Sequence, residues 1–365
     1  LLAQMHKAIS VLQFKLESQL FERYPFWKMQ DRELLKQVDY KKGTITLNGV
    51  VYNMRSCHFP TIDPNNPNAL TPEEQTLIDR LQQSFKTSER LQEHIRQLLL
   101  HGRMYRIINH NLLYHASIPL TEEGKLKEVE IYPELKACGR ELLHNIEVIV
   151  RRAFQKGTES DGGIDPQYAI DFFLYLWCGP ESPLFDKAKM ATFERYFIED
   201  KETHKETKGA YFVMRDKEEI ADMILDEFDV PKTNRHIING HVPVHVAKGE
   251  NPIKAGGKLM VIDGGLSEAY HKETGIAGYT LVFHSRGFQL VQHEPFTSAE
   301  DAIKRGTDIV STTQIVEMNQ RRIRVADTDM GTELRLQINA LKELLYAYRI
   351  GFIAEKESKN PPKKY

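Results

Sequence analysis

Two histidines carry the clearest chemical signal in this 365-residue chain. His115 closes the apolar run Leu112-Leu-Tyr114, and His241 follows Ile237-Ile-Asn-Gly240; a proline comes soon after each, Pro119 and Pro243. Short apolar and β-branched runs of this kind read as buried strands that deliver side chains to a loop at the tip. Gly240 admits close backbone approach just before His241, and Pro243 stiffens the exit. Neutral imidazoles at strand tips suit divalent transition metals, and paired metals about 3.5–4 Å apart use such ligands with bridging carboxylates for phosphoester hydrolysis. A single Gly-His step reads first as packing. What shifts the balance is a second strand, Lys258-Leu-Met-Val-Ile262, running into Asp263-Gly-Gly265. Asp263 is the one carboxylate in a comparable strand-tip context, and before two glycines it reads first as a turn former. Asn239, Gly240, Asp263 and Gly264 are therefore expected to shape the site. No Gly-Asp-x-His, Gly-Asp-x-x-Asp-Arg or Gly-Asn-His-Asp sequence supplies the further ligands of a two-metal centre.

Cations form a second constellation. Phe193 to Lys205 gathers Arg195, Tyr196, Lys201, His204 and Lys205. A guanidinium fork and ammonium charges could hold an anionic substrate, and the same spacing describes a solvated helix end. Arg140 sits where Ala137-Cys-Gly begins a helix, a position unfavourable for a cation unless an anion lies nearby, so a phosphate site is possible there too. His6, His94, His101 and His144 fall in helical patterns and read as surface or packing residues. Cys57-His58 has no matching second pair.

These residues need a scaffold. The sequence predicts an amphipathic helix over 1–20, then a hairpin from Gly43 to Met54 turning at Asn48-Gly49, a pair suited to a type I′ turn. Thr71 as cap and Pro72 at the first helical position open one long helix through Leu100. Two strands are expected within 104–119, helices at 139–156, 166–177, 190–198 and 217–228, and strands near 235–239, 258–262, 278–284 and 287–293. A last helix covers 332–350. The chain divides into a mainly helical segment with a hairpin (1–103), a central α+β portion (104–300), a helical segment (301–355) and a Lys- and Pro-rich tail (356–365) expected to be disordered.

Composition narrows the function classes. With 49 Lys and Arg against 51 Asp and Glu, the formal charge is −2, so no global basic field favours nucleic acid. Three scattered cysteines argue against a disulfide framework and for a reducing compartment, the cytoplasm by default. No apolar run reaches membrane-span length. The chain begins Leu1-Leu2-Ala3 without an initiator methionine, and reads as a fragment.

Longer runs carry a resemblance. Gln13-Phe-Lys-Leu-Glu-Ser18, Gly139-Arg-Glu-Leu-Leu143, Thr192-Phe-Glu-Arg-Tyr-Phe197, Lys201-Glu-Thr-His-Lys-Glu206, Ile237-Ile-Asn-Gly-His-Val-Pro243, Val261-Ile-Asp-Gly-Gly265 and Gly275-Ile-Ala-Gly-Tyr-Thr280 resemble the class III fructose-1,6-bisphosphatases of Firmicutes and Bacteroidetes. The resemblance spans nearly the whole chain and covers the C-terminal portion of that longer family. It implies an α+β fold, the C-terminal half of a calcineurin-like metallophosphatase sandwich of two mixed sheets flanked by helices, with a two-metal Mn2+ site at the strand tips. His115 and His241 would be metal ligands by the family's Leu-Leu-x-His-Gly-x-Ile-Pro and Asn-Gly-His-x-Pro motifs. The first motif departs at Ala116 and His110, both glycine in the family. Arg140, Arg195 and Lys205 match positive positions of the motifs; their assignment to substrate phosphate rests on charge.

The implied reaction is hydrolysis of the 1-phosphate of fructose 1,6-bisphosphate to fructose 6-phosphate and phosphate, a gluconeogenic step. The family's remaining metal motifs lie in its first half, so this chain is expected to need that half or a separate N-terminal subunit, and a homo-oligomer stays open. A dinucleoside polyphosphate or protein phosphatase of the same superfamily, or a non-catalytic binding module, are the rival readings.

Overall fold

A computed structural model describes residues 1–154, 163–295, 298–305 and 311–353. The chain forms two compact units. The first comprises Leu1–Val244 with Asn251–Asp263; the second takes His245–Glu250 and the described residues from Gly264 onward. The expected disorder of 356–365 lies outside the described residues.

The first unit opens with α1 (Leu2–Arg23), which serves two apolar clusters. Phe21 joins Trp27, Ile146, Tyr168, Phe172 and Tyr175, while Val11 and Phe14 join Leu35, Ile45, Phe193 and Phe197. The sheet β1 (Val38–Asp39), β2 (Thr44–Leu47) and β3 (Val50–Asn53) is antiparallel in that order. Its hairpin turns at Asn48 and Gly49, with φ of 49° and 79°, as the Asn-Gly pair predicts.

The long helix expected from Thr71 is two helices, α2 (Pro72–Thr87) and α3 (Glu89–His101). The Thr71–Glu74 capping box starts the first as expected. Ser88, at ψ 97°, leaves the helical region and breaks the run. Thr and Ser lose little by doing so, since their hydroxyls compete for backbone groups outside a helix.

A five-stranded mixed sheet positions the chemistry. It contains β4 (Tyr105–Ile108) and β5 (Asn111–Tyr114), an antiparallel hairpin. A small ribbon of β6 (Val129–Tyr132) and β7 (Leu135–Ala137) comes next, and escaped the sequence reading. The helices α4 (Gly139–Arg152), α5 (Pro166–Cys178), α6 (Thr192–Phe197), α7 (Ala210–Met214) and α8 (Glu218–Glu227) lead to β8 (His236–Asn239). The short β9 (Ile253–Lys254) and β10 (Leu259–Val261) complete the order β4-β5-β8-β10-β9. Strands β5, β8 and β10 are parallel, so their C-terminal tips share one end of the sheet. Burial on both faces explains why β10 and the Ile237-Ile238 centre of β8 are apolar without alternation.

In the second unit, α9 (Glu268–Thr274) precedes the hairpin β11 (Gly278–His284) and β12 (Gly287–His293). After α10 (Ala299–Arg305), β13 (Ser311–Met318) adds to β12 as a third antiparallel strand that the sequence reading missed. The unit ends in α11 (Asp329–Arg349), close to the expected 332–350. The α+β class thus holds, with separate helical and sheet regions. Among the described residues, no helix is long and apolar enough to cross a membrane.

Candidate functional site

Parallel pairing sets Asn111 beside His236 and Leu113 beside Ile238, which carries His115 and Gly240 to the same level at the strand tips. The Gly240 amide donates to the His115 carbonyl at 2.9 Å and closes the tips together. One residue on, the Val242 amide donates to the Gly240 carbonyl at 2.9 Å, with His241 between them at φ 68°. This is a γ-turn of the rare positive-φ kind, a strained backbone for a residue with a Cβ. Its effect is to turn the His241 ring back toward its neighbour.

The two imidazoles meet. His115 Nε2 and His241 Nδ1 lie 3.1 Å apart, with ring centroids at 4.9 Å and planes at 63°. Burial pushes the His241 ring down to about 4, helped by His115 and Lys187 and opposed by Asp263. Partial burial of the ring likewise lowers His115, again opposed by Asp263. Both rings are therefore neutral near pH 7 and keep a lone pair for ligation. His241 Nε2 is buried without a hydrogen-bond partner. Buried polar atoms of this kind are rare and call for an occupant or a role.

Asp263 reaches this pair from β10. A Cβ placed on Gly240 would stand 3.4 Å from Asp263 Cβ and 3.9 Å from Oδ2, so the glycine leaves room for that carboxylate. The Asp263 carbonyl accepts from the Val244 amide at 2.8 Å, and Ile262 N–H donates to the Asn239 carbonyl. Asn239 braces the tips from below: its Nδ2 donates to Ala116 O at 3.0 Å and to Tyr211 Oη at 2.6 Å. Tyr211 in turn meets Tyr114 at 2.8 Å. Ala116, where the family motif has glycine, is fully buried. Gly264 belongs to the second unit, where a Cβ would meet the Gly278 Cα at 2.6 Å and Ile276 Cδ1 at 2.9 Å.

The proposed phosphate cations stand apart from the histidines. Arg140 Nη1 pairs with Asp229 at 2.6 Å and its Nε donates to Tyr105 Oη at 3.1 Å. Glu227 accepts from the Arg140 amide at 3.1 Å, so the chain itself supplies the anion that this helix start calls for. Arg195 pairs with Glu206 at 3.1 Å and Lys205 with Glu202 at 2.5 Å. None of the three lines the cleft beside the histidine pair.

That cleft, of about 390 Å³, opens at the strand tips over Leu113, Ile238 and Ile262. His115 lines it, with His101, Arg103 and Arg106 on the β4 side. Sequence reading missed these arginines because a charged residue in a connecting segment, like Arg103, or in an edge strand, like Arg106, has no local signature of function. It likewise missed Tyr211 and Lys187, which reach the site only through tertiary contact.

The donor set fits part of a metal site. Two nitrogens bound at about 2.1 Å to one ion lie roughly 3.0–3.4 Å apart at right-angle to tetrahedral geometry, which brackets the observed 3.1 Å. Among the described residues, no group of three or more His, Cys, Asp or Glu side chains is placed to hold a metal ion.

Comparison with known proteins agrees with the motif reading. The family described as Firmicute fructose-1,6-bisphosphatase matches residues 1–350. Proteins named fructose-1,6-bisphosphatase class 3 are similar to this chain at 55% identity over 357 residues in Phocaeicola vulgatus, and at 54% over 356 in Bacteroides fragilis. Another from Clostridium botulinum is 51% identical over 355 residues. The matches cover 98%, 98% and 97% of this chain and 53% of each relative. The chain spans about half the length of the curated relatives it matches. No solved structure matches it.

Proposed function

The chain belongs to the Firmicute fructose-1,6-bisphosphatase family, and from that premise we propose that it carries part of the active site that hydrolyses the 1-phosphate of fructose 1,6-bisphosphate. The observation that supports this most directly is the neutral His115–His241 pair at 3.1 Å, held at the tips of parallel strands. Such tips are where open α/β sheets present ligands and chemistry. In this reading His115 and His241 are two ligands of a manganese centre, and the buried His241 Nε2, which has no hydrogen-bond partner, is open to a ligand role. A bound divalent cation supplies Lewis acidity and screens the charge of the reacting phosphoryl group.

The chain's own residues set the geometry. The γ-turn at His241 and the Gly240–His115 hydrogen bond fix the ring separation. Asn239 and Tyr211 hold the tips against the core, and Asp263 places negative charge beside both rings. Arg140, Arg195 and Lys205 stay in this reading as cations outside the cleft, each of which would have to exchange its present carboxylate to meet a phosphate oxygen. The remaining metal ligands come from outside the described residues, on the N-terminal half that completes the calcineurin-like fold. The three free cysteines fit a reducing, cytoplasmic setting.

The test is metal content and phosphate release with Mn2+ and fructose 1,6-bisphosphate, on the chain alone and mixed with the remaining half of the Phocaeicola relative. The mixture is expected to retain manganese and turn over, and His241→Ala to lower both by at least tenfold, the usual scale for a lost ligand or its support. Unchanged metal content in that variant would refute the ligand assignment. Robust turnover by the chain alone would refute the need for outside ligands.

A further inference from the structure

The cleft beside the histidines is lined by His101, Arg103 and Arg106, and among the described residues no Asp or Glu side chain lines it. Arg106 faces Leu113 across the β4–β5 ladder, so the two side chains leave the same face of the sheet. His115 lies two residues beyond Leu113 along the chain. Alternation along the strand turns Leu113 and His115 to the same side, and Arg106 and His115 line one cleft. The Arg106 guanidinium has no hydrogen-bond or ion-pair partner among the described residues. Arg103 is held only loosely, with Nη1 on the Gly102 carbonyl at 2.8 Å and Nε 3.7 Å from Glu147. By contrast, Arg140, Arg195 and Lys205 each already hold a carboxylate. Between the histidines and the arginines, Leu113, Ile238 and Ile262 form an apolar floor suited to a carbon skeleton.

We infer that Arg106, with Arg103 and His101, is a subsite for a phosphate monoester dianion: the sugar phosphate group that is not hydrolysed. This rests on the proposed reaction and names the far end of its substrate. A planar fork takes two phosphate oxygens at once, and the positive cleft favours the dianion over a neutral sugar. Holding that phosphate on Arg106 places the other end of the substrate at His115 and His241.

The experiment is calorimetric titration of the metal-free chain with fructose 6-phosphate, in which neither metal nor turnover enters, so a failure to bind is distinguished from a failure to hydrolyse. Wild type is expected to bind, and Arg106→Met to weaken binding roughly tenfold or more, with Arg106→Lys in between. Arg103→Gln gives a second, smaller loss. Arg80→Met, on exposed α2, controls for net charge and is expected to bind as wild type. Circular dichroism establishes that each variant is folded, as an exposed edge-strand position predicts. Absence of binding by wild type, or equal binding by Arg106→Met, would overturn the proposal in favour of a solvated edge-strand arginine. Equal or tighter binding of adenosine monophosphate would overturn it in favour of an effector site.

Discussion

At the scale of single residues, the two strand-borne histidines of β8 and its tip have different tasks. His241, at φ 68°, has its ring against His115. His236, at the other end of the strand, is buried and meets Asn111 Oδ1 through Nδ1 at 3.1 Å. Asn111 spends its Nδ2 protons on the carbonyls of Ile108 and Asn109, so its oxygen accepts and His236 carries its proton on Nδ1. Burial lowers the His236 pKa to about 4. An unfolded histidine titrates near 6.5, so between those values the unfolded chain holds the extra proton. Stability from this residue is therefore complete above about pH 6.5 and is lost as the pH falls toward 4, by up to about 3 kcal/mol. Urea denaturation at pH 7 and 4.5 measures it. His236→Gln is expected to flatten the pH dependence by about that amount, and an unchanged slope would show that other groups carry it.

At the scale of elements, most boundaries follow from local chemistry and the exceptions are instructive. The Asn48-Gly49 turn, the Thr71 cap and the β11–β12 hairpin were all legible, because each depends on residues within a few positions. The break at Ser88 and the strand β13 were not, since the first is a local choice between two acceptable conformations and the second needs β12 beside it. Gly264 is another case where a neighbour decides. A Cβ there would press on the Gly278 backbone at 2.6 Å, which cannot yield as a flexible side chain would. Gly264→Ala is thus expected to destabilise the second unit by about 1–3 kcal/mol, through overpacking. Hydrogen exchange in β11 and β12 reads this out: wild-type protection in the variant would show that the backbone relaxes freely.

At the scale of the molecule, long-range ion pairs tie the first unit together. Arg32 grips Glu194 with both arms, Nη1 to Oε1 at 2.8 Å and Nη2 to Oε2 at 3.0 Å, across 162 positions of sequence. The Glu194 side chain has no exposure. Burial pushes its carboxyl up, but the Arg32 fork and Lys189 hold it below its ordinary value. Arg32→Met strands that charge with Lys189 alone, and the expected cost is about 3 kcal/mol, the lower range for breaking a buried pair. Thermal melts of the variant and of the Arg32→Met, Glu194→Leu double variant test this. The double variant is expected to recover much of the loss, and failure to recover would assign it to packing of the Arg32 stem.

The sequence by itself determined the α+β class, the strands that end in His115 and His241, and the family to which the chain belongs. Those conclusions rest on apolar runs, caps, turns and motifs, all of them local. The tertiary structure decided which of the marked residues meet. Parallel pairing in one register brings two histidines 126 positions apart to 3.1 Å, and the β4–β5 ladder puts Arg106 on their side of the sheet. Pairing also decided that Arg140, conspicuous in sequence, is matched by Asp229, while Arg106, inconspicuous there, has no such partner among the described residues. Strand register and desolvation are long-range quantities: a one-residue slip would reverse every face, and no local spacing encodes which carboxylate arrives from 89 positions away.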